Sequence, residues 1–167
     1  THDLTQPRAL AIYTALLTAF TMLLRISEYA VVSDSDHHLR CCDVTFVVNE
    51  ARVASHLLTV EQRDSVSEVI LKLRSSKTDK DGEGTTFCFP RDLDKDPKTD
   101  ICFMLARWSS FAVRQAYQPF FSSAVTSGLW KISSSNISLA VKELAKAFHF
   151  NPTRFSSHSL RYGGAST

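Results

Sequence analysis

Leu10, Tyr13, Leu16, Leu17, Phe20, Leu23 and Leu24 recur at steps of three and four, the period of a helix with one face turned to a core. The run predicts a long, largely buried helix over about residues 7–30. Thr5 is its expected N-cap, and Pro7 falls in the first turn, where a missing N–H costs nothing. The far end is charged, Arg25-Ile26-Ser27-Glu28-Tyr29, and a polar loop over 33–40 follows.

The period then changes. Residues 44–48 are β-branched and aromatic and read as a strand. Over 69–74, Val69, Leu71 and Leu73 alternate with Lys72 and Arg74, as in a strand with one buried face. Residues 75–84 are turn chemistry, strongest at Asp81-Gly82-Glu83-Gly84, and 85–89 read as the returning strand of a hairpin. From Asp100, Ile101, Met104, Leu105, Trp108, Phe111 and Ala112 form one helical face. Residues 118–135 are Ser-rich and read as irregular, and a further helix covers 136–148 on Ile137, Ala140, Val141, Leu144 and Phe148. Asn151-Pro152 stops it, and Ser156-Ser157-His158 looks like a cap opening another helix. The order predicts one α+β domain, mostly helical, with a small antiparallel β-sheet. Residues 1–6 read as a linker remnant and 7–167 as the domain.

Composition narrows the classes. With 44% hydrophobic and 22% charged residues, the 167-residue chain has the balance of a globular domain large enough to bury a core. No apolar run approaches the ~20 residues of a membrane helix, and Thr1-His2-Asp3-Leu4 lacks the pattern of a signal peptide. A net charge of +2 is compatible with nucleic acid but does not argue for it. Cys41, Cys42, Cys88 and Cys102 form no C-x-x-C pair and read as reduced thiols. His37, His38, Cys41 and Cys42 cluster, but a zinc site would want a second ligand pair downstream, so no metal or other cofactor is expected.

Single candidates for chemistry are weak alone. Arg25 and Glu28, three apart, are commonly a helix salt bridge, and Lys77 or Lys80 in a polar turn is commonly just solvated. His158-Ser159-Leu160-Arg161 opens a helix, where free N–H groups bind phosphate readily. Their order carries more. Leu23-Leu24-Arg25-Ile26-Ser27-Glu28, then Ser76-Lys77-Thr78 in a hairpin, then His158-Ser159-Leu160-Arg161, resembles the catalytic domain of the tyrosine recombinases, the phage-integrase family. Gly163-Gly164-Ala165 after the second arginine is similar to the integrases of Crypton- and DIRS-type mobile elements.

The resemblance implies site-specific DNA recombination or integration, with metal-independent cleavage and rejoining through a 3′-phosphotyrosine. Arg25 and Arg161 would clamp the phosphate, whose charge suits a planar guanidinium fork. Lys77, preferred over Lys80, would protonate the leaving 5′-oxygen; His158 would assist proton transfer, and Glu28 would hold an arginine or the histidine in place. Lys72, Arg74, Lys80 and Lys131, with Lys142 and Lys146, would contact the backbone of double-stranded DNA. A full-length enzyme would act as a homotetramer on DNA and this chain alone would be a monomer. The location would be the nucleus for a eukaryotic element and the cytoplasm otherwise.

The family's nucleophile lies well after the second arginine, and no tyrosine here occupies that place. Tyr13 and Tyr117 read as packing, Tyr29 follows the first motif, and Tyr162 adjoins Arg161 on a helix where neighbours point about 100° apart. The domain is therefore expected to be incomplete at its C-terminus and inactive alone. Two alternatives stay open: a non-catalytic DNA-binding module derived from a decayed or domesticated recombinase, and an unrelated helical domain in which the motifs coincide.

Overall fold

The computed structural model describes residues 3–32, 37–74, 83–156 and 158–159. The first apolar run does not form one helix. It forms α1 (Pro7–Met22) and, after a break, the short α2 (Ile26–Tyr29). Leu23 adopts left-handed backbone angles, φ 54° and ψ 39°, and the N–H of Leu24 closes the end of α1 on the carbonyl of Ala19 at 3.0 Å. The left-handed residue turns the chain so that Leu24 is buried while Leu23 stays exposed. The N-cap of α1 is Gln6, not Thr5; the Thr5 amide and hydroxyl bond instead to the Asp3 carboxylate.

Four strands form one antiparallel sheet in the order β2-β1-β3-β4: β1 (Val44–Val48), β2 (Ala51–Ala54), β3 (Val66–Leu73) and β4 (Thr85–Pro90). The strand β2 had no alternation to announce it. Its signal is the turn, where Asn49 and Glu50 both have positive φ, as the tight hairpin connection requires. Val66 and Val69, three apart, both face the core because a bulge shifts the β1–β3 register between Val47 and Val48. Beyond it, Leu71 and Leu73 are buried and Lys72 is exposed, as the alternation predicts.

The inner face of the sheet meets α3 (Ile101–Ser109), which also packs on α1. Asp100 caps α3 by accepting the Phe103 N–H at 3.1 Å. The helix stops before Phe111, which is 40% exposed. Trp108 is fully buried, and its indole N–H donates to the Phe120 carbonyl at 2.9 Å. Residues 118–135 are not irregular throughout: β5 (Ser122–Val125) and β6 (Gly128–Lys131) form a second hairpin, so the fold is less helical than expected.

The helix α4 (Ser134–Ala147) starts at Ser133, which exchanges hydrogen bonds with Asn136. It buries the row Ile137, Val141 and Ala145. Leu144 and Phe148, expected inside, are 42% and 70% exposed. After α4, a 3₁₀ turn (Pro152–Arg154) leads to Ser156. No helix among the described residues is long and apolar enough to cross a membrane.

Candidate functional site

Arg25 is the N-cap residue of α2, and the break at Leu23 is what puts it there. Three residues on, Glu28 returns its carboxylate to the same point. One oxygen accepts the backbone N–H of Arg25 at 2.6 Å, and the other meets the guanidinium Nη1 at 3.3 Å. Glu28 is buried and the Arg25 side chain is 27% exposed. The guanidinium makes no other hydrogen bond among the described residues, so most of its N–H groups are left for a ligand. A half-buried, charge-balanced fork with unused donors is suited to an anion, because its orientation is set before anything binds.

The carbonyl of Glu28 accepts the N–H of Leu39 at 2.8 Å, which ties the corner to the segment 38–43. That strap is anchored along its length. The Leu39 carbonyl accepts the Phe120 N–H at 2.9 Å, and the Cys41 N–H reaches the Gln118 carbonyl at 3.0 Å. Cys41 lies fully inside, its thiol pushed up to about 12 by burial, while Cys42 is exposed beside Asp43.

The hairpin β3–β4 is present with Leu73 opposite Thr85, and the residues between its strands include 75–82. Lys77 and Lys80 fall there and lie outside the described residues, as do Arg161, Tyr162 and Gly163-Gly164-Ala165. At the root of the hairpin, Gly84 has φ +75°, and a Cβ there would run into the carbonyl oxygen of Leu73. Arg74, expected on the DNA backbone, is 32% exposed along its side chain and has partners within the fold. Its Nε meets the Asp43 carboxylate at 3.0 Å and its Nη2 donates to the His38 carbonyl at 3.0 Å. Asp43 was not a candidate from sequence; its signal is the Arg40–Asp43 spacing of a cap, made by the Arg40 N–H donating to Asp43 at 2.8 Å.

His158 and Ser159 have helical backbone. Ser156 caps this turn: its hydroxyl accepts the His158 N–H at 3.3 Å, and its own N–H donates to the Ser159 hydroxyl at 3.0 Å. The imidazole of His158 is exposed and makes no hydrogen bond among the described residues. Lys72, Lys131, Lys142 and Lys146 are all exposed.

The tyrosines divide. The Tyr13 hydroxyl donates to the Lys98 carbonyl at 2.8 Å. Tyr29 is buried with no partner for its hydroxyl among the described residues, and burial pushes its phenol far up. Tyr117 is not packing: it is 77% exposed.

A second concavity, about 190 Å³, opens between α1 and α4 over Ile12, Tyr13, Leu16, Leu139, Ala140 and Leu144. Its lining is almost wholly apolar and offers a phosphate nothing. No protein-family model, curated protein or solved structure matches the chain.

Proposed function

We propose that this chain is most of the catalytic domain of a tyrosine recombinase, which breaks and rejoins double-stranded DNA without a metal. The observation that carries the reading is the Arg25 corner, where a half-buried guanidinium is braced by buried Glu28 and its remaining donors have no partner among the described residues. Arg25 with Arg161 would hold the non-bridging oxygens of a scissile phosphate as negative charge grows on them. A tyrosine hydroxyl supplied from outside these 167 residues would attack phosphorus. The P–O5′ bond would break, Lys77 would give its proton to the 5′-oxygen, and His158 would take up the proton of the attacking hydroxyl. Further support comes from the pairing of β3 with β4, between which Lys77 falls in the sequence, and from the Ser156-capped turn at His158.

The test is binding of the 167-residue chain to fluorescent duplex DNA as salt is raised from 50 to 200 mM. Affinity should fall steeply with salt, and Arg25→Ala should weaken it roughly tenfold at fixed salt, as expected for a lost charged hydrogen bond to phosphate. Binding that ignores both salt and Arg25→Ala would sink the reading.

A further inference from the structure

Arg74 directly follows the strand that leads into the hairpin, and both of its engaged donors meet groups of the protein itself. One guanidinium edge is on Asp43, whose side chain is only 7% exposed, and the other is on the His38 carbonyl. Lys72, two residues earlier and within β3, is exposed and makes no ion pair among the described residues. The contrast separates a solvated strand cation from one with a structural address. A guanidinium meets the carboxylate and the carbonyl through two separate nitrogens of one rigid fork, whereas the single nitrogen of an ammonium would have to reach both.

What Arg74 grips is also significant. His38 and Asp43 are the two ends of the strap, and its Leu39 N–H is bonded to the carbonyl of Glu28, the residue that braces Arg25. The contacts therefore run without a gap from Arg25 to Glu28, through the strap, to Arg74 and the root of the hairpin. Gly84 closes that root from the returning strand, against the carbonyls of Leu73 and Arg74.

We infer that Arg74 is a positioning residue, which locks the β3–β4 hairpin to the Arg25 corner through Asp43 and the His38 carbonyl so that the two hold one fixed relation. The functional value of that relation rests on the reading proposed above; the lock itself does not. Arg74 accordingly makes no phosphate contact of its own.

Two measurements on the 167-residue chain test this, with Arg74→Gln, Arg74→Lys and Asp43→Asn. Hydrogen exchange reads the lock directly. In Arg74→Gln and Asp43→Asn, the Leu39 amide and the amides at 73 and 85 should exchange together, roughly tenfold faster than any change in global stability explains. Arg74→Lys should fall between these and the unaltered chain. Faster exchange at 73 and 85 with Leu39 unchanged would overturn the inference, and so would a uniform rise that tracks global stability.

Duplex DNA binding reads the consequence. Arg74→Gln should weaken binding without changing the salt slope, and its effect should be non-additive with Arg25→Ala. A slope reduced by about one unit would make Arg74 a phosphate contact and overturn the assignment. If the unaltered chain binds no DNA, the recombinase reading fails, and hydrogen exchange alone still decides whether the lock exists.

Discussion

Glu28 holds Arg25 by both ends of that residue, its backbone N–H at 2.6 Å and its guanidinium at 3.3 Å. A buried carboxylate with two such partners is satisfied, and removing it leaves an amide and a half-buried cation without one. Glu28→Ala should therefore cost about 2–4 kcal/mol, while Glu28→Gln, which keeps an acceptor for the Arg25 amide, should cost about half of that. Urea denaturation of the two variants checks the order; equal costs would show that the charge, not the acceptor, matters at this corner.

Gly84 and Gly128 both have positive φ, at +75° and +125°, but only Gly84 lies against other backbone. Alanine at 128 meets strain alone, about 1–2 kcal/mol. Alanine at 84 must also displace the Leu73 carbonyl, so Gly84→Ala should lower stability by clearly more than Gly128→Ala. Matched denaturation curves decide it.

Cys41 and Cys102 are fully buried, and burial pushes both thiols from the usual 9 up to about 12. The unfolded chain releases these protons first, so the stability they contribute is complete below pH 9 and is lost as pH rises toward 12. Between pH 9 and 10 stability should fall by up to about 1.4 kcal/mol per group. The paired Cys41→Ala, Cys102→Ala variant should flatten that slope. In the unaltered chain at pH 8, iodoacetamide should label the exposed Cys42 and Cys88 and spare the buried Cys41 and Cys102.

On α4, Val141 is 5% exposed and Leu144 42%. Val141→Ala should therefore cost more than Leu144→Ala although it removes less side chain, and Phe148→Ser should change stability by under about 0.5 kcal/mol. Thermal melts of the three separate the buried row from the open one.

Tyr117 stands free in solvent, whereas Tyr13 is bonded and Tyr29 enclosed. On a nicked duplex, the chain should form no 3′-phosphotyrosyl adduct. An adduct abolished by Tyr117→Phe would make Tyr117 the nucleophile and end the proposal that the nucleophile comes from elsewhere.

Local pattern carried much of the fold. The strands β1, β3 and β4 and the helices α3 and α4 follow from periods of two and 3.6, since each buries one face. The break at Leu23 was not legible, because Leu23 and Leu24 continue the apolar period that the tertiary fold interrupts. The hairpin β5–β6 is short and Ser-rich, so its alternation is too weak to read. On α4, apolar positions fill more of the circumference than the core takes up, and packing alone chose the row. At the candidate site, Arg25, Glu28 and the hairpin were readable as motif and period. The partner of Arg74 was not, since Asp43 lies 31 positions away and no local rule connects them.

Leu23 has a further meaning for anyone altering this chain. In an unbroken helix the Arg25 N–H would be spent on the carbonyl four residues earlier, and Glu28 could not reach it. A non-glycine residue held left-handed, at a cost of about 1–2 kcal/mol, is what releases that amide. A redesign that raised helix propensity across 20–27 would improve each local choice and grow a straighter, steadier rod. It would also erase the corner, and the arginine would ride on that rod as an ordinary surface charge.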